Sequence, residues 1–316
     1  MSTMWSRKTL QNELDKRDKY PSGARGQHFM TDSTYLSHIV DQAGVENGDV
    51  VLEVGTGPGH LTTTLLEEGC YVIGVEIDET LAELCRDQTG NPDELSLFVD
   101  DVLDDDEHVQ PELQVMIRNT LKRTGAEEIT IVSNLPYRRG TNILISLLES
   151  PVQFSEENIV VLQKALAEKL DAMPGTSDFG IPSVLFQWQG QMDVLETVPR
   201  QVFWPEPEVE SVLCQVTKGS EWVDIEAPHD RYAKMKSVVR TLFAHPRKTL
   251  RNNIKLSDDY SIDDVEMYGS FVDLFLDKRP EQLTPKEWCD LTGSLLTAKN
   301  QKDVNVDVSE DDGGRT

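Results

Sequence analysis

The residues best suited to chemistry are four consecutive positions, Asn134-Leu135-Pro136-Tyr137. An exocyclic adenine amine is a poor nucleophile, because its lone pair is delocalised into the ring, so a methylating enzyme must hold that nitrogen in a reactive geometry. The Asn134 side-chain carbonyl and the Leu135 backbone could both accept hydrogen bonds from one amine and so favour a pyramidal nitrogen. Pro136 stiffens the turn, and the Tyr137 ring can stack on a base taken out of its helix. An ordinary strand-end turn with a core tyrosine is the alternative interpretation.

A glycine-rich turn is the second chemical signal. The apolar run Val50–Leu52 predicts a buried parallel strand, and Gly55, Gly57 and Gly59 follow it before a segment that can be helical. Glycines at alternate positions let the backbone approach a ligand closely, and the N–H groups at the start of the helix point into the crevice beyond the strand. This pattern favours nucleotide or cofactor binding, and a purely structural turn is the alternative.

Two glutamates narrow the choice of ligand. The apolar run Tyr71–Val75 ends in Glu76, which could accept hydrogen bonds from both ribose hydroxyls of a nucleoside. This spacing would fit NAD, FAD or S-adenosylmethionine. Glu53 directly precedes the glycine turn and would repel a phosphate, whereas S-adenosylmethionine carries a sulfonium, an ammonium and no phosphate. An acidic pocket therefore favours S-adenosylmethionine.

These residues require an α/β sheet in which several strands end at one edge. The strand predicted at Leu95–Val99 ends before Asp101, and the strand predicted at Ile129–Val132 ends before Asn134. With the two earlier strands, four carboxyl ends would converge in a doubly wound sheet, where ligands bind. Further strands are predicted at Ile159–Leu162, Met192–Val198 and Val209–Val216, the last two as an antiparallel pair, and helices from Ser33 to Ala43, Arg231 to Phe243, Val265 to Leu276 and Pro285 to Leu296.

Charge is unevenly distributed along the chain. The formal net charge is −26, which by itself would argue against a nucleic-acid partner. The segment from Arg231 to Lys255, however, holds eight Lys or Arg and no Asp or Glu, whereas Glu76 to Glu112 holds fourteen acidic residues and one Arg. This asymmetry predicts one basic face on an acidic body. Solubility and a high-salt cytoplasm are both open as causes of the acidity.

Cysteine usage and the chain ends bear on location. Four cysteines have neither metal-ligand nor disulfide spacing, and neither a signal peptide nor a long apolar span is present, so a reducing cytoplasm and no membrane are expected. Cys70 and Cys214 lie in strand-like runs and are expected in the core. Residues 1–25 hold six basic residues against three acids and predict a basic arm, either helical or loose, which would be a solvated tail or an RNA contact. Residues 301–316 predict an acidic, disordered tail.

The combination of motifs resembles the ribosomal RNA adenine N6-dimethyltransferase family, the KsgA-like enzymes of the small subunit. The resemblance covers roughly Gly26 to Leu296. It is carried by Gly26-Gln27-His28-Phe29, the segment from Glu53 to Thr62, Glu76-Ile77-Asp78, Asp101-Val102-Leu103, Asn134-Leu135-Pro136-Tyr137 and the segment from Phe203 to Ser211.

The resemblance implies a fold and a set of site residues. The fold is an α/β, Rossmann-like methyltransferase sheet with a small C-terminal helical domain, and S-adenosylmethionine is the cofactor, with no metal implied. Asp101 would face the adenine amine of the cofactor, and Ile77 and Val102 would sandwich its ring. Asn134 and Tyr137 would hold the target adenine, with Phe203 stacking on its other face; domain packing by Phe203 is the alternative. The cofactor site would include Gln27, Phe29, Glu53, Gly55, Gly57, Glu76, Asp101 and Asn134.

The C-terminal sequence favours the small-subunit enzymes within the family. Residues 243–253 and 278–283 look like the small helical domain of these enzymes, and the resemblance implies that the related large-subunit enzymes lack this sequence signature. Arg247, Lys248 and Arg251 would contact rRNA phosphates, with a solvated helix face as the alternative. The chain departs from the family pattern at Arg138 to Asn142 and at Gly180-Ile181-Pro182, both expected in loops near the RNA, where Arg138 and Arg139 could strengthen phosphate contact.

The resulting prediction is a cytoplasmic, monomeric enzyme that methylates N6 of two adjacent adenines near the 3′ end of small-subunit rRNA. Its partners would be that rRNA and the pre-ribosomal small subunit. A subunit-assembly factor with weak or no methylation is the second hypothesis, and a methyltransferase for another rRNA adenine is the third. The domains would be a basic arm (1–25), a methyltransferase catalytic domain (26–218), a helical RNA-binding domain (219–300) and the tail (301–316).

Overall fold

The chain forms two compact units. A computed structural model describes residues 4–21, 27–219, 229–260, 262 and 273–295. One unit comprises Met1–Glu168 and Gly190–Lys218, and the other comprises Lys169–Gln189 and Gly219–Thr316. The predicted tail, residues 301–316, lies outside the described residues.

The segment Lys169–Gln189 was predicted within the catalytic domain but clusters with the second unit. Backbone hydrogen bonds account for this placement. The Gly175 N–H donates to the Glu281 carbonyl, and the Gly219 N–H donates to the Gln189 carbonyl at 2.8 Å. The functional division into catalytic and RNA-binding domains stays a prediction.

A seven-stranded sheet organises the first unit. Its strand order is β4-β3-β2-β5-β6-β9-β7, and a separate two-stranded sheet pairs β1 with β8. The strands are β1 (Phe29–Met30), β2 (Val50–Val54), β3 (Tyr71–Val75), β4 (Leu95–Phe98), β5 (Thr130–Asn134), β6 (Glu157–Gln163), β7 (Gly190–Val198), β8 (Phe203–Trp204) and β9 (Ser211–Lys218).

The directions of the strands show at which edge of the sheet the binding crevice lies. β2 pairs in parallel with both β3 and β5, so the strand order reverses beside β2. Parallel pairing continues from β3 to β4 and from β5 to β6. β9 runs antiparallel to β7, as predicted, and also antiparallel to β6. In such a sheet the crevice lies beyond the carboxyl ends of the strands flanking the reversal. Here those ends carry the glycine turn and Asn134.

Helices flank the sheet and form the second unit. Every residue of β2 is buried, as an apolar run covered on both faces requires. In the second unit Met235, Val238, Val239 and Leu242 are buried and form the apolar face of the helix predicted from Arg231 to Phe243. The helices are α1 (Arg7–Asp15), α2 (Ser33–Ala43), α3 (His60–Glu68), α4 (Glu79–Thr89), α5 (Pro111–Thr124), α6 (Gly140–Glu149), α7 (Lys164–Leu170), α8 (Ile181–Gln187), α9 (His229–Leu242), α10 (Leu250–Lys255), α11 (Asp273–Leu276) and α12 over 285–295.

The two departures from the family pattern lie at the starts of helices. The prediction that they form loops is wrong for residues 140–142 and 181–182, whereas Arg138, Arg139 and Gly180 lie in the turns that precede the helices. α6 starts at Gly140 and α8 starts at Ile181. The residue preceding α6, Arg139, makes no side-chain cap bond, so the usual sequence signal of a helix start is missing there. The predicted helix at residues 265–272 lies outside the described part of the chain.

Within the basic N-terminal segment, α1 (Arg7–Asp15) is a docked helix rather than a solvated tail. Leu10 and Leu14 of α1 are buried and pack with Phe29, Leu81 and Leu84. Its cations pair within the unit: Arg17 with Asp87 at 2.6 Å, Lys19 with Asp78 at 2.5 Å, and Arg7 with Thr31 and the Gln201 carbonyl. Burial of α1 therefore opposes a loose arm, and RNA contact stays a prediction.

All four cysteines are free and buried, with Cys70 and Cys214 fully inaccessible as predicted. Within the described residues, none of the helices combines the length and the apolar composition needed to span a bilayer.

Candidate active site

The glycine turn closes tightly against its neighbours. Gly55 and Gly57 have φ values of +85° and +52°, which side chains rarely adopt. A Cβ built at Gly55 would lie 3.4 Å from the Pro136 ring, and one at Gly57 would lie 3.1 Å from the Phe29 ring. Glycine is therefore required both for backbone conformation and for the close approach of the segments carrying Pro136 and Phe29.

Glu76 is oriented by backbone N–H groups. The Gly57 N–H donates to Glu76 Oε2 at 2.8 Å, and the Asp78 N–H donates to Oε1 at 2.9 Å. The carboxyl is buried, and desolvation raises its pKa even though these bonds favour the charged form. Each oxygen keeps accepting capacity, so Glu76 can bind the hydroxyl pair of a ribose.

Glu53 is the most deeply buried acid of the site. It is 1% exposed, and the Thr62 hydroxyl donates to its Oε2 at 2.6 Å. Burial raises the pKa of Glu53 to about 8. A cation placed beside this carboxyl would favour its ionised form, which suits a sulfonium or ammonium ligand.

Asp101 follows β4 and lines the cavity together with two apolar side chains. Its Oδ1 accepts from the Leu103 N–H at 3.0 Å, and its Oδ2 is paired with Arg139. Ile77 is 64% exposed and Val102 is buried, and both line the cavity with Asp101. An apolar pair beside a carboxylate can hold a flat heterocycle that carries an amine.

Asn134 presents an acceptor that is buried yet unpaired. Its Nδ2 donates to the His28 carbonyl at 3.3 Å, which fixes the orientation of the amide. Among the described residues, no donor reaches Asn134 Oδ1. An unsatisfied buried acceptor costs about 1–3 kcal/mol, so a donor supplied by a ligand would be favoured here.

Tyr137 is held by two side chains. Its hydroxyl lies 2.6 Å from Ser211 Oγ, and its ring stacks on that of His28. Burial raises the pKa of Tyr137, which therefore stays a neutral phenol. The ring lines the cavity beside Asn134, Leu135 and Pro136.

Phe203 is the predicted site residue that the structure does not bring to the cavity. Its side chain is fully buried in the core with Leu36, Ile39 and Val202, and the β1–β8 pairing opposite Met30 directs it there. In this conformation Phe203 packs in the core, as the alternative prediction of a packing role described. Base stacking by Phe203 stays a prediction that requires the ring to become exposed.

One cavity of about 710 Å³ brings the other predicted catalytic and cofactor residues together. It combines positive-φ glycines, buried carboxyls and an unpaired amide oxygen, features that fit the aminoacyl, ribosyl and adenine parts of S-adenosylmethionine. The sequence-predicted residues on its wall are Gln27, Phe29, Glu53, Gly55, Gly57, Glu76, Ile77, Asp101, Val102, Asn134, Leu135, Pro136, Tyr137, Arg138 and Arg139.

Sequence comparison identifies the family. Residues 22–288 match the family described as Ribosomal RNA adenine dimethylase. The chain belongs to the ribosomal RNA adenine dimethylase family. The sequence-based assignments of the family, the α/β fold and the S-adenosylmethionine-dependent enzyme class are therefore confirmed.

Relatives of this dimethylase occur in bacteria and archaea. "Ribosomal RNA small subunit methyltransferase A" of Streptococcus agalactiae is 35% identical over 72% of this chain and 75% of its own length. The protein of the same name from Alkaliphilus oremlandii is 31% identical over 93% and 99% of the two chains. A "Probable ribosomal RNA small subunit methyltransferase A" from Methanopyrus kandleri is 30% identical over 89% and 96%.

Two solved structures share the dimethylase fold. A dimethyladenosine transferase from Plasmodium falciparum has a TM-score of 0.62 and 20% identity, covering 86% of this chain and 98% of its own. The 23S rRNA methyltransferase ErmE has a TM-score of 0.54 and 22% identity, covering 84% and 99%. These likenesses establish the fold and do not distinguish substrates.

Several dimethylase cavity residues were missed by the sequence analysis. His28 and Met30 alternate with the predicted Gln27 and Phe29, and the alternation of a short strand gave no reason to prefer either pair. The position of His28 between the predicted site residues Gln27 and Phe29 could have indicated that it also lines the site. The other polar residues of the cavity that were given no role are Thr56, His60 and Asp100.

The predicted RNA-binding arginines and lysine of the dimethylase have different surroundings. Arg139 is paired with Asp101 inside the first unit, and Arg138 lines the same cavity. In the second unit, Arg247 and Lys248 are exposed, whereas Arg251 lies 3.6 Å from Asp277. The tertiary structure thus places an acid against a cluster that appears free of acids in the sequence.

Proposed function

We propose that this dimethylase transfers methyl groups from S-adenosylmethionine to N6 of two adjacent adenines in the 3′-terminal hairpin of small-subunit rRNA. The product would be dimethyladenosine, formed on the pre-ribosomal small subunit by a monomeric, cytoplasmic enzyme. The names of the bacterial and archaeal relatives support the choice of subunit. The observation that carries the proposal is the unpaired Asn134 Oδ1 on the wall of the cavity that also holds the glycine turn.

The proposed cofactor site uses groups whose orientation is already set. When bound, S-adenosylmethionine supplies an electrophilic methyl group on its sulfonium. Glu76 would accept the ribose hydroxyls, because Gly57 and Asp78 already hold its two oxygens. Asp101 would accept the adenine amine between Ile77 and Val102, and Glu53 would favour the cationic end of the cofactor. Gln27, Phe29 and Gly55 would complete the walls.

The proposed target site positions the adenine amine and needs no side-chain base. Asn134 Oδ1 would accept a hydrogen bond from the amine, in an orientation set by the bond from Nδ2 to the His28 carbonyl. The Leu135 carbonyl would accept a second bond, and Pro136 would keep the two acceptors in place. Tyr137 would stack on the base. The amine proton leaves after methyl transfer, so positioning supplies much of the rate.

The direct test uses labelled S-adenosylmethionine and small subunits that lack the modification, followed by mass mapping of the rRNA 3′ end. Dimethyladenine at two neighbouring positions is the expected result. Binding to the subunit without label would contradict the proposal and favour the assembly-factor hypothesis. Label at another adenine would favour the third hypothesis.

Two variants of Tyr137 test the target site. Tyr137→Ala should abolish methylation while leaving cofactor binding intact, because the stacking ring is lost. Tyr137→Phe is the matched control, since it keeps the ring and removes only the bond to Ser211. Full activity in Tyr137→Ala would exclude the stacking role.

A further inference from the structure

Helix α6 and the preceding residue Arg139 contact the loop that follows β4. Arg139 pairs with Asp101, Asn142 Nδ2 donates to Glu107 Oε1 at 2.8 Å, and Ser146 Oγ donates to the Glu107 carbonyl at 2.7 Å. Arg139 and Asn142 belong to the segment in which this chain departs from the family pattern. The departure therefore makes contacts next to the cofactor cavity, and the two ends of the loop are both held by α6.

The surroundings of Arg139 oppose its role as a phosphate ligand. A smaller cavity beside the main one is lined by Arg139 together with several carboxylates. A phosphate approaching the guanidinium would meet these carboxylates at close range, and like charges in a shared concave site repel strongly. The acids on this wall are Asp100, Asp101, Asp104, Asp105 and Glu107.

Asp101 is held by one donor on each oxygen. The Leu103 N–H reaches Oδ1, and the Arg139 guanidinium reaches Oδ2. A carboxylate oxygen can accept two hydrogen bonds, so both oxygens keep one free acceptor site. These two donors therefore fix the carboxylate plane without using up its capacity to bind an amine.

We propose that Arg139 is a positioning residue for the cofactor, which acts by holding Asp101 in the orientation that receives the adenine amine, and is not an rRNA phosphate contact. Arg139 lines the wall of the main cavity together with Asp101, so it is placed to act from the rim of the adenine pocket. The inference rests on the proposed function in one respect, namely that Asp101 receives the adenine amine.

The test compares two neutral-sulfur ligands that differ at the adenine amine. S-adenosylhomocysteine carries the amine, and S-inosylhomocysteine carries a carbonyl oxygen in its place. Calorimetric titration of the full-length protein should show preference for the adenosyl compound. Arg139→Met should lower the affinity for S-adenosylhomocysteine by about fivefold and leave the affinity for S-inosylhomocysteine nearly unchanged. The expected effect is modest because the ion pair between Arg139 and Asp101 is partly exposed to solvent. Arg139→Lys should restore part of the preference.

Control variants separate the possible failures. Arg118→Met, an exposed arginine of α5, removes the same charge elsewhere and should change neither affinity. Asp101→Ala should abolish the preference between the two ligands. If Asp101→Ala keeps that preference, the proposed adenine site is wrong and the inference falls with it. If Asp101→Ala abolishes the preference but Arg139→Met retains it in full, only the inference is wrong.

Two further results would overturn the inference. Equal weakening of both ligands by Arg139→Met would indicate a structural role without effect on the amine. If Arg139→Met binds small subunits more weakly and keeps its affinity for both nucleosides, Arg139 contacts rRNA phosphate, as the sequence predicted. Retained binding of S-inosylhomocysteine by Arg139→Met shows that the variant is folded, so each result is interpretable.

Discussion

The imidazole of His28 stacks on the phenol ring of Tyr137, with ring centroids 5.2 Å apart and planes inclined by 29°. His28 Nδ1 lies 2.8 Å from the Pro205 carbonyl, and because a carbonyl only accepts, Nδ1 carries the proton in this contact. The His28 carbonyl accepts from Asn134. His28 therefore connects the two residues proposed to hold the target base, Asn134 and Tyr137, to the turn that follows β8.

Replacing His28 should slow methyl transfer through Tyr137. His28→Ala removes the ring stack, which is worth about 1 kcal/mol, so we expect a roughly fivefold lower single-turnover rate at saturating cofactor. His28→Phe keeps a stacking ring and should recover most of the rate, whereas His28→Asn keeps a donor near the Nδ1 position and should not. Recovery by Asn alone would show that the Pro205 bond, rather than the stack, is important.

Asn134→Ala should lower the methylation rate by about 100-fold or more, the usual effect of removing one transition-state hydrogen-bonding group. The matched control is Asn158→Ala, another buried amide, whose Oδ1 accepts from the Ile131 N–H and whose Nδ2 donates to the Ser155 and Val216 carbonyls. This control should lose stability in urea unfolding but keep its rate per folded molecule. Equal rate losses in both variants would indicate that Asn134 is only structural.

Glu53 should make stability depend on pH. Its folded pKa of about 8 exceeds the ordinary value of 4.5, so between these values the folded state binds the proton more tightly than the unfolded state. Its contribution is full below pH 4.5 and is lost as pH rises through 8. Glu53→Gln should remove this loss, so the unfolding free energy of the variant minus that of the wild type should rise from pH 6 to pH 9.

The control for this pH effect is Glu94→Gln, which changes an exposed glutamate. Urea unfolding without cofactor is the measurement. A difference between Glu53→Gln and wild type that stays constant with pH would contradict the raised pKa.

Gly59 should tolerate alanine poorly. Its φ is +92°, and an added Cβ would lie 2.8 Å from Cys85 Sγ and 3.0 Å from Cys85 Cα. We expect Gly59→Ala to cost about 3 kcal/mol, since backbone strain and overpacking add. Gly90→Ala is the control: its φ is +76°, no described atom lies within 4 Å of the added Cβ, and about 1 kcal/mol is expected. If urea unfolding shows that Gly59→Ala and Gly90→Ala lose the same free energy of unfolding, the contact with Cys85 does not contribute.

Arg247 and Lys248 should contribute to RNA affinity through phosphate charge. Changing either to Gln should weaken binding to the small subunit and lower the slope of log affinity against log salt by about 1. Arg251→Gln should have a smaller effect, because Arg251 is paired with Asp277. Lys122→Gln, which changes an exposed lysine of α5, is the charge-matched control. If the salt slopes of the Arg247 and Lys248 variants equal that of the wild type, these residues belong to a solvated helix face and do not contact RNA.

Much of the fold follows from local sequence. The start of β2, the apolar run Val50–Leu52, and the glycine turn after the strand could be predicted, because a strand buried on both faces favours an apolar run and a close approach needs glycine. The location of Glu76, Asp101 and Asn134 at the sheet edge could also be predicted, since each lies within two residues of the end of a predicted parallel strand, whereas the role of Asp101 was implied by the family resemblance. The start of α6 was missed because Arg139 provides no capping side chain.

By itself the amino-acid sequence determined the family, the order of the strands along the chain and the edge of the sheet at which the site lies. These properties depend on short motifs and on the rule that parallel strands end together. Only the tertiary structure decided that Phe203 is buried, that His28 stacks on Tyr137 and that Arg139 pairs with Asp101. Such contacts join residues far apart in the chain, and which side chains meet depends on the packing of whole strands and helices rather than on spacing or residue type.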